Sequence, residues 1–248
     1  MELTIKRDGL KLYGLLEGTT TIKNDTVAIL MHGFKGNLGY DDSAILYALS
    51  HYLNQQGIPT LRFDFDGAGN SDGDFADMTV FSEILDGMKI IDYAHTTMQA
   101  KKIYLIGHSQ GGVVASMLAG YYRDIITKLV LLAPAASLKD DALKGICQGS
   151  HYDSNHIPET VNVSGYSVGG GYFRTAQLMP IYETAQHYGG PTLLIHGEAD
   201  KVVSPAASQK YNVIMPNSKL HLIPDEGHMF NGAKRQEILE LVASFLKQ

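Results

Sequence analysis

Short, continuous apolar runs alternate along this chain with longer stretches in which apolar residues recur every three or four positions. A continuous apolar run of this kind is typical of a strand that is covered on both faces of a sheet, and the second pattern is typical of an amphipathic helix. We predict strands at residues 27–31, 60–65, 103–106, 129–133, 193–195 and 220–223. We predict helices at residues 45–53, 81–98, 206–214 and 236–246, and another that begins near residue 110.

The order of these elements predicts the fold class. Strands that alternate with helices form a mainly parallel sheet with helices on both faces, so we expect an α/β fold. Residues 3–6 and 10–16 differ from the other strands because apolar and polar side chains alternate within them. They flank Asp8 and Gly9, and this combination predicts an antiparallel hairpin at the start of the chain.

The regular alternation stops at Pro134 and resumes at Pro191. The residues between them, 135–190, are too many for an ordinary connection, and they are polar, glycine-rich and supplied with tyrosines. We predict that this segment is a cap inserted after the sixth strand of the sheet, over the active site. Residues 1–134 and 191–248 would then form the core.

Composition and charge exclude several classes of function. The net charge is −6 and the basic residues form no stripe, so we expect no nucleic-acid partner. The amino terminus lacks an apolar signal region and no apolar run approaches a membrane span, which favours a cytoplasmic protein without a membrane partner. Cys147 is the only cysteine, so an internal disulfide is excluded.

One stretch carries the signature of a nucleophilic serine. The sequence Gly-His-Ser-Gln-Gly at residues 107–111 follows a predicted strand and precedes a helix of small residues. This context is the one that a nucleophile elbow requires, so Ser109 is the candidate nucleophile. A second Gly-x-Ser-x-Gly match contains Ser167, but a half-polar segment precedes it. It is followed by Gly170 and Gly171, which are poor helix starters, so we interpret Ser167 as a loop serine.

A serine hydroxyl needs a base to remove its proton and an acid to orient that base. Asp200 follows the strand at residues 193–195, and His228 follows the strand at 220–223. Both therefore lie at the sheet edge that carries the serine, in the chain order Ser, acid, His. The competing acids are Glu198 in the same loop as Asp200, and Asp225 close to the histidine in sequence.

Acyl transfer also needs two amide donors for the developing oxyanion. The residue after the nucleophile supplies one, which is Gln110, and the loop after the strand at 27–31 supplies the other, for which Phe34 is the candidate. We expect His32 to brace that loop and His108 to point away from the nucleophile. The chain has no zinc-like ligand spacing and no complete dinucleotide-binding glycine motif, so we expect neither a metal nor a cofactor.

Several motifs together resemble the α/β-hydrolase superfamily over essentially the whole chain. They are Gly-His-Ser-Gln-Gly-Gly at residues 107–112, His-Gly-Phe at 32–34, Asp-x-x-Gly-x-Gly-x-Ser at 64–71, His-Gly-x-x-Asp at 196–200 and Gly-His at 227–228. The length of the chain, its elbow sequence and the position of its cap are also similar to those of the small bacterial feruloyl (cinnamoyl) esterases.

This resemblance implies a serine carboxylesterase that hydrolyses small aromatic esters of hydroxycinnamic acids. It also implies that polar cap residues bind the phenolic ring of the substrate, for which the candidates are Asp141, Gln148 and Tyr172. Two alternatives stay open. One is a hydrolase of other acyl groups, such as a monoacylglycerol lipase, a thioesterase or a peptidase. The other is a non-catalytic binding module on the same fold. The oligomeric state, a homodimer included, is also open.

Overall fold

The computed structural model describes residues 1–248 and contains twelve strands and eight α-helices. The strands are β1 (Glu2–Arg7), β2 (Leu10–Glu17), β3 (Thr26–Met31), β4 (Thr60–Phe63), β5 (Lys102–His108), β6 (Ile126–Leu132), β7 (Ile146–Cys147), β8 (Ser150–His151), β9 (Thr160–Val163), β10 (Tyr166–Gly169), β11 (Thr192–Gly197) and β12 (Ser218–Ile223). The helices are α1 (Ile45–Gln55), α2 (Val80–Asp92), α3 (Gln110–Tyr121), α4 (Leu138–Lys144), α5 (Gly170–Ala176), α6 (Ile181–Ala185), α7 (Ala206–Ile214) and α8 (Arg235–Lys247).

Eight of the strands form one central sheet in the order β1-β2-β4-β3-β5-β6-β11-β12. Strand β2 pairs antiparallel with both β1 and β4, and every other pairing in this sheet is parallel. The structure therefore confirms the predicted α/β class, the mainly parallel sheet and the antiparallel hairpin at the start of the chain.

The continuous apolar runs of the sequence arise because helices cover both faces of the sheet. In β3, the side chains of Val27, Ile29 and Met31 pack into a core that includes helices α2 and α3. The intervening Ala28 and Leu30 pack on the opposite face, into a core that includes α1 and α8. Neither face of the strand is exposed to water, so the side chains that point to either face are apolar.

The topology brings three loops to one edge of the sheet. Strands β5, β6, β11 and β12 are adjacent and parallel, so their carboxyl ends lie at the same edge. Ser109 follows β5, Asp200 lies after the end of β11, and His228 lies after the end of β12. The sheet thus places three residues that are far apart in sequence within reach of one another.

One predicted helix differs from the structure at both of its ends. The helix predicted at residues 81–98 ends as an α-helix at Asp92 and continues as the π-helical turn Tyr93–Thr97. It begins at Val80 because Thr79 and Ser82 form a reciprocal capping box, in which each side chain accepts a hydrogen bond from the other residue's amide.

The interpretation of the second glycine-serine motif also needs correction. Ser167 lies in strand β10, which pairs antiparallel with β9, and not in a loop. Helix α5 begins at Gly170 although glycine is a poor helix former. The backbone amide of Gly170 donates to the carbonyl of Glu159 at 2.6 Å, and a Cβ at this glycine would overlap the carbonyl oxygen of Pro158. Close packing therefore outweighs helix propensity at this position.

The segment between β6 and β11 contains helices α4 to α6 and two short antiparallel ribbons. Its final residues also pack on the core, because the Tyr188 hydroxyl donates to the carbonyl of Ile126 and the backbone of Thr184 lies directly against Gly120. The division into a cap at residues 135–190 and a core stays a prediction. None of the helices in the structure has the length and apolar character that crossing a membrane requires.

Candidate active site

Ser109 lies in a strained backbone conformation at the tip of the turn between β5 and α3. Its φ of 56° and ψ of −122° are unusual for a residue with a side chain. The turn is so tight that a Cβ at Gly107 would overlap the carbonyl oxygen of Gly111. A Cβ at Gly111 would in turn overlap the carbonyl oxygen of Met31 at the end of β3. The two glycines of the motif are therefore required by close backbone approach.

A chain of short hydrogen bonds joins three of the predicted residues. The Oγ of Ser109 lies 2.9 Å from Nε2 of His228, and Nδ1 of His228 lies 2.7 Å from Oδ2 of Asp200. A carboxylate only accepts hydrogen bonds, so Nδ1 carries the proton and Nε2 accepts from the serine hydroxyl. All three side chains are buried.

The Asp200 carboxylate is held by four donors. Its Oδ1 accepts from the backbone amides of Val202 at 2.8 Å and Val203 at 2.9 Å. Its Oδ2 lies 3.1 Å from Nε2 of the buried His196 as well as close to His228. Burial acts to raise the pKa of Asp200, but the donors from His196, His228 and Val203 outweigh burial and lower the pKa below its usual range. The group is therefore an anion at neutral pH.

The competing acids do not reach the imidazole of His228. Glu198 and Asp225 are both exposed, and neither side chain makes a hydrogen bond to His228. The neighbouring Glu226 is buried and accepts from the amide of Gly232. Of the carboxylates in these two loops, only Asp200 is oriented toward the base.

The other two histidines near the serine have structural contacts. His108 points away from the serine, and its Nε2 donates to the carbonyl of His228 at 2.9 Å. Burial and the nearby His228 lower the pKa of His108 to about 4, so this ring is neutral at pH 7. His32 accepts from the amide of Phe65 at 3.1 Å and donates to the carbonyl of Gly33, which braces the loop after β3.

Two amides lie beside the serine hydroxyl without an internal acceptor. A Cβ built at Gly33 would lie 2.8 Å from the Cβ of Ser109, so the loop that carries Phe34 is packed against the serine. The amide of Phe34 makes no hydrogen bond within the protein. Gln110 is the first residue of α3, where an amide has no acceptor in its own helix. Both amides are thus free to stabilise an oxyanion.

A pocket opens directly beside Ser109. Asp141, Gln148 and Tyr172 all line this pocket, so the structure brings the three polar residues of the inserted segment together at the serine. The remaining lining is mostly apolar and includes Phe34, Ala135, Leu138, Ala142, Ile146, Cys147, Phe173, Val202 and Val203. A planar apolar group with polar substituents would fit such a lining.

A second, more open groove also reaches Ser109 and His228, and it shares Phe34, Asp141 and Gln148 with the first pocket. Lys35 and Lys201 line it, and the exposed Met229 forms part of its rim. The serine therefore borders both an apolar pocket and an open groove.

Sequence reasoning missed two buried residues at this site. His196 belongs to the His-Gly-x-x-Asp motif at residues 196–200, and its spacing of four residues from Asp200 is the signal that could have identified it. Glu83 is completely enclosed and accepts a hydrogen bond from the side chain of Gln110 at 2.9 Å. The signal for Glu83 was its position on the apolar face of the predicted helix, one turn before Gly87.

Comparison with known proteins agrees with this geometry. The profile of the family described as serine aminopeptidase, S33, matches residues 23–151, which is more than half of the chain. A solved structure of Est1E from Butyrivibrio proteoclasticus with bound ferulic acid is 32% identical, covers 99% of this chain and 98% of its own, and superposes with a TM-score of 0.92. The chain belongs to the α/β-hydrolase family.

More distant relatives also match most of the chain. The protein YfhR of Escherichia coli K12 is 25% identical over 92% of this chain and 72% of its own length. The human serine hydrolase BPHL is 24% identical over 79% of this chain and 72% of its own length. This α/β hydrolase is therefore an esterase-type serine hydrolase, and its similarity to Est1E extends over nearly the whole chain.

Proposed function

We propose that this α/β hydrolase is a serine carboxylesterase that hydrolyses esters of hydroxycinnamic acids. The observation that carries the proposal is the hydrogen-bonded series Ser109–His228–Asp200 beside an apolar pocket that contains Asp141, Gln148 and Tyr172. The similarity to Est1E, whose structure holds ferulic acid, supports the same acyl group.

In the first half of the reaction, Ser109 attacks the carbonyl carbon of the ester while His228 accepts the proton of its hydroxyl. Asp200 stabilises the imidazolium that forms, because its carboxylate is an anion held against Nδ1. The amides of Phe34 and Gln110 stabilise the tetrahedral oxyanion. His228 then protonates the leaving alcohol, and a cinnamoyl ester of Ser109 remains.

In the second half, water takes the place of the alcohol. His228 removes a proton from this water, the hydroxide attacks the acyl carbon, and Ser109 leaves with the proton that His228 returns. The open groove beside His228 admits the water and releases the alcohol. The reaction uses only these side chains and amides.

The pocket supports recognition of an aromatic acyl group. Phe34 and Phe173 supply apolar contact, and Asp141, Gln148 and Tyr172 supply polar groups in the same pocket. A buried phenol left without a partner costs about 1–3 kcal/mol, so polar groups at this position discriminate between hydroxylated and plain rings.

The proposal is tested by comparing kcat/KM for methyl ferulate, a short p-nitrophenyl ester and a monoacylglycerol. We expect methyl ferulate to exceed the other carboxylic esters by about tenfold or more, since only its ring fills the pocket. Ser109→Ala should lower kcat by about 10⁴-fold or more and leave the fold intact. Ser167→Ala is the matched control and should change kcat less than about twofold, because surface substitutions of this kind have small effects.

Other outcomes would identify the alternatives. A preference for the monoacylglycerol, a thioester or a peptide amide would assign the serine to a different acyl group. Failure of a fluorophosphonate to label Ser109 in the folded protein would indicate a binding module and would exclude the esterase.

A further inference from the structure

Glu83 is a buried carboxyl that the proposed reaction leaves without a role. It lies on α2 with 2% of its surface exposed, and it forms no ion pair. Burial raises the pKa of Glu83 well above its usual range, and the hydrogen bond from Gln110 acts against this shift. Burying a carboxyl costs free energy of folding unless the group is hydrogen-bonded. The side-chain hydrogen-bond partner of Glu83 is Gln110.

The side chain of Gln110 connects Glu83 to the inserted segment. Its Nε2 donates to Oε2 of Glu83 at 2.9 Å, and its Oε1 accepts from the Tyr172 hydroxyl at 2.6 Å. The three side chains are all buried, and they come from α2, α3 and α5. We call these residues the Glu83–Gln110–Tyr172 relay.

The direction of the Gln110 amide is fixed by its surroundings. Nε2 also faces Sδ of Met78 at 3.9 Å, and a thioether sulfur only accepts hydrogen bonds. The reverse orientation would bring Oε1 against this sulfur. The carbonyl end of the amide is therefore turned toward Tyr172.

This direction decides what Tyr172 can offer to a ligand. Burial raises the pKa of Tyr172 well above its usual range, so the phenol keeps its single hydrogen, and Gln110 accepts that hydrogen. A ligand that meets the Tyr172 oxygen can only donate to it. The Asp141 carboxylate in the same pocket is also an acceptor.

We propose that Glu83 is a positioning residue which, through Gln110, holds the Tyr172 hydroxyl as an acceptor and thereby selects acyl groups whose ring carries a hydroxyl donor. The inference rests on the proposed function, because it concerns the same pocket. The inference assigns a role in substrate specificity to a residue of α2 that does not touch the substrate. It also predicts that acyl groups whose ring carries only ether substituents bind poorly.

The test compares the methyl esters of 4-hydroxycinnamic, 4-methoxycinnamic and unsubstituted cinnamic acids, which share one leaving group. In the natural protein, kcat/KM for the hydroxylated ester should exceed the other two by about tenfold, the size of one lost hydrogen bond to a buried group. Glu83→Met removes the acceptor at similar volume, frees the Gln110 amide to turn, and should reduce the ratio below about threefold. The measured quantity is the ratio of kcat/KM between the esters, in which a loss common to all three esters cancels.

Glu83→Gln is the conservative control, because its amide oxygen can still accept from Gln110, and it should retain the natural ratio. Tyr172→Phe removes only a hydroxyl and should lower the ratio as Glu83→Met does, which keeps the test available if the methionine variant does not fold. An unchanged ratio in Tyr172→Phe, or an equal loss on all three esters in folded Glu83→Met, would overturn the inference.

A binding measurement separates this inference from the proposed reaction. Titration calorimetry gives the affinities of free 4-hydroxycinnamate and cinnamate for the natural protein, Glu83→Met and Glu83→Gln. A preference for the hydroxylated acid that Glu83→Met loses and Glu83→Gln keeps supports the relay even if none of the esters is hydrolysed, in which case the esterase proposal alone fails. Equal affinities of the two acids in the natural protein would contradict the relay.

Discussion

At the scale of single residues, the carboxylate of Asp200 is shared by two histidines. His228 and His196 both lie against Oδ2, at 2.7 Å and 3.1 Å, and two backbone amides occupy Oδ1. These contacts fix the carboxylate in position and keep it ionised. They therefore also fix the orientation of the His228 ring that approaches Ser109.

Replacing this carboxylate should disable the base while leaving the site in shape. In Asp200→Asn, the amide cannot accept from all of the donors that surround the natural carboxylate, so His228 loses the anion that keeps the proton on Nδ1 and stabilises the imidazolium. We expect kcat for methyl ferulate to fall by about 10⁴-fold, the effect that loss of the acid has in a serine protease triad, with little change in KM. Steady-state kinetics and a thermal melt check this.

The matched controls for that variant are the two exposed carboxylates that competed for the same role in the sequence. Asp225→Asn and Glu198→Gln should each leave kcat within about twofold, as is usual for surface substitutions. A large loss in Asp225→Asn together with an active Asp200→Asn would reassign the acid.

At the scale of elements, the turn between β5 and α3 depends on how closely the backbone can approach itself. A Cβ at Gly111 would overlap the carbonyl oxygens of Met31, the last residue of β3, and of His32, which follows it. Helix α3 would have to move away from the sheet, and Ser109 and the Gln110 amide would move with it.

We therefore expect Gly111→Ala to affect both stability and turnover. The free energy of unfolding should fall by about 1–3 kcal/mol, as for other overpacked sites. The value of kcat should fall by about 100-fold, because displacements of about 1 Å at a reacting centre have effects of this size. Gly189→Ala is the control, since a Cβ there meets no atom within 4 Å. An unchanged kcat in Gly111→Ala would show that the elbow tolerates a wider turn.

The two glycine-serine motifs show what local sequence can and cannot decide. The strand and the helix around Ser109 could be predicted from the sequence, because a continuous apolar run and a helix of small residues flank the serine. The helix that begins at Gly170 could not be predicted in this way, because it depends on packing against residues that are more than ten positions away in sequence. Propensity is a weak guide wherever tertiary contacts of this kind exist.

At the scale of the whole molecule, the parallel sheet is the reason that the site could be predicted at all. Loops after adjacent parallel strands must meet at one edge, so the approach of Asp200 and His228 to Ser109 followed from the strand pattern. The contact between Glu83 and Gln110 did not follow from it. That hydrogen bond joins two helices, and it depends on packing angles that no local pattern encodes.

Burial across the molecule also makes stability depend on pH. His32 and His108 are enclosed beneath the site, and burial lowers the pKa of each, in His108 to about 4. The unfolded chain binds a proton at each histidine with a pKa of about 6.5. As the pH falls from about 6.5 to 4, the unfolded state therefore takes up protons that the folded state excludes, and the free energy of unfolding decreases.

The contribution of His108 to this loss should be roughly 3 kcal/mol, since each pKa unit corresponds to about 1.4 kcal/mol. Urea unfolding at pH 7, 6, 5 and 4 measures it. In His108→Gln, an amide can still donate to the carbonyl of His228 but does not titrate, so the decrease between pH 7 and 4 should be smaller than in the natural protein. His187→Gln alters an exposed ring and should leave the decrease unchanged. If His108→Gln lost stability with acid as steeply as the natural protein, the burial of a neutral imidazole at position 108 would not be the cause.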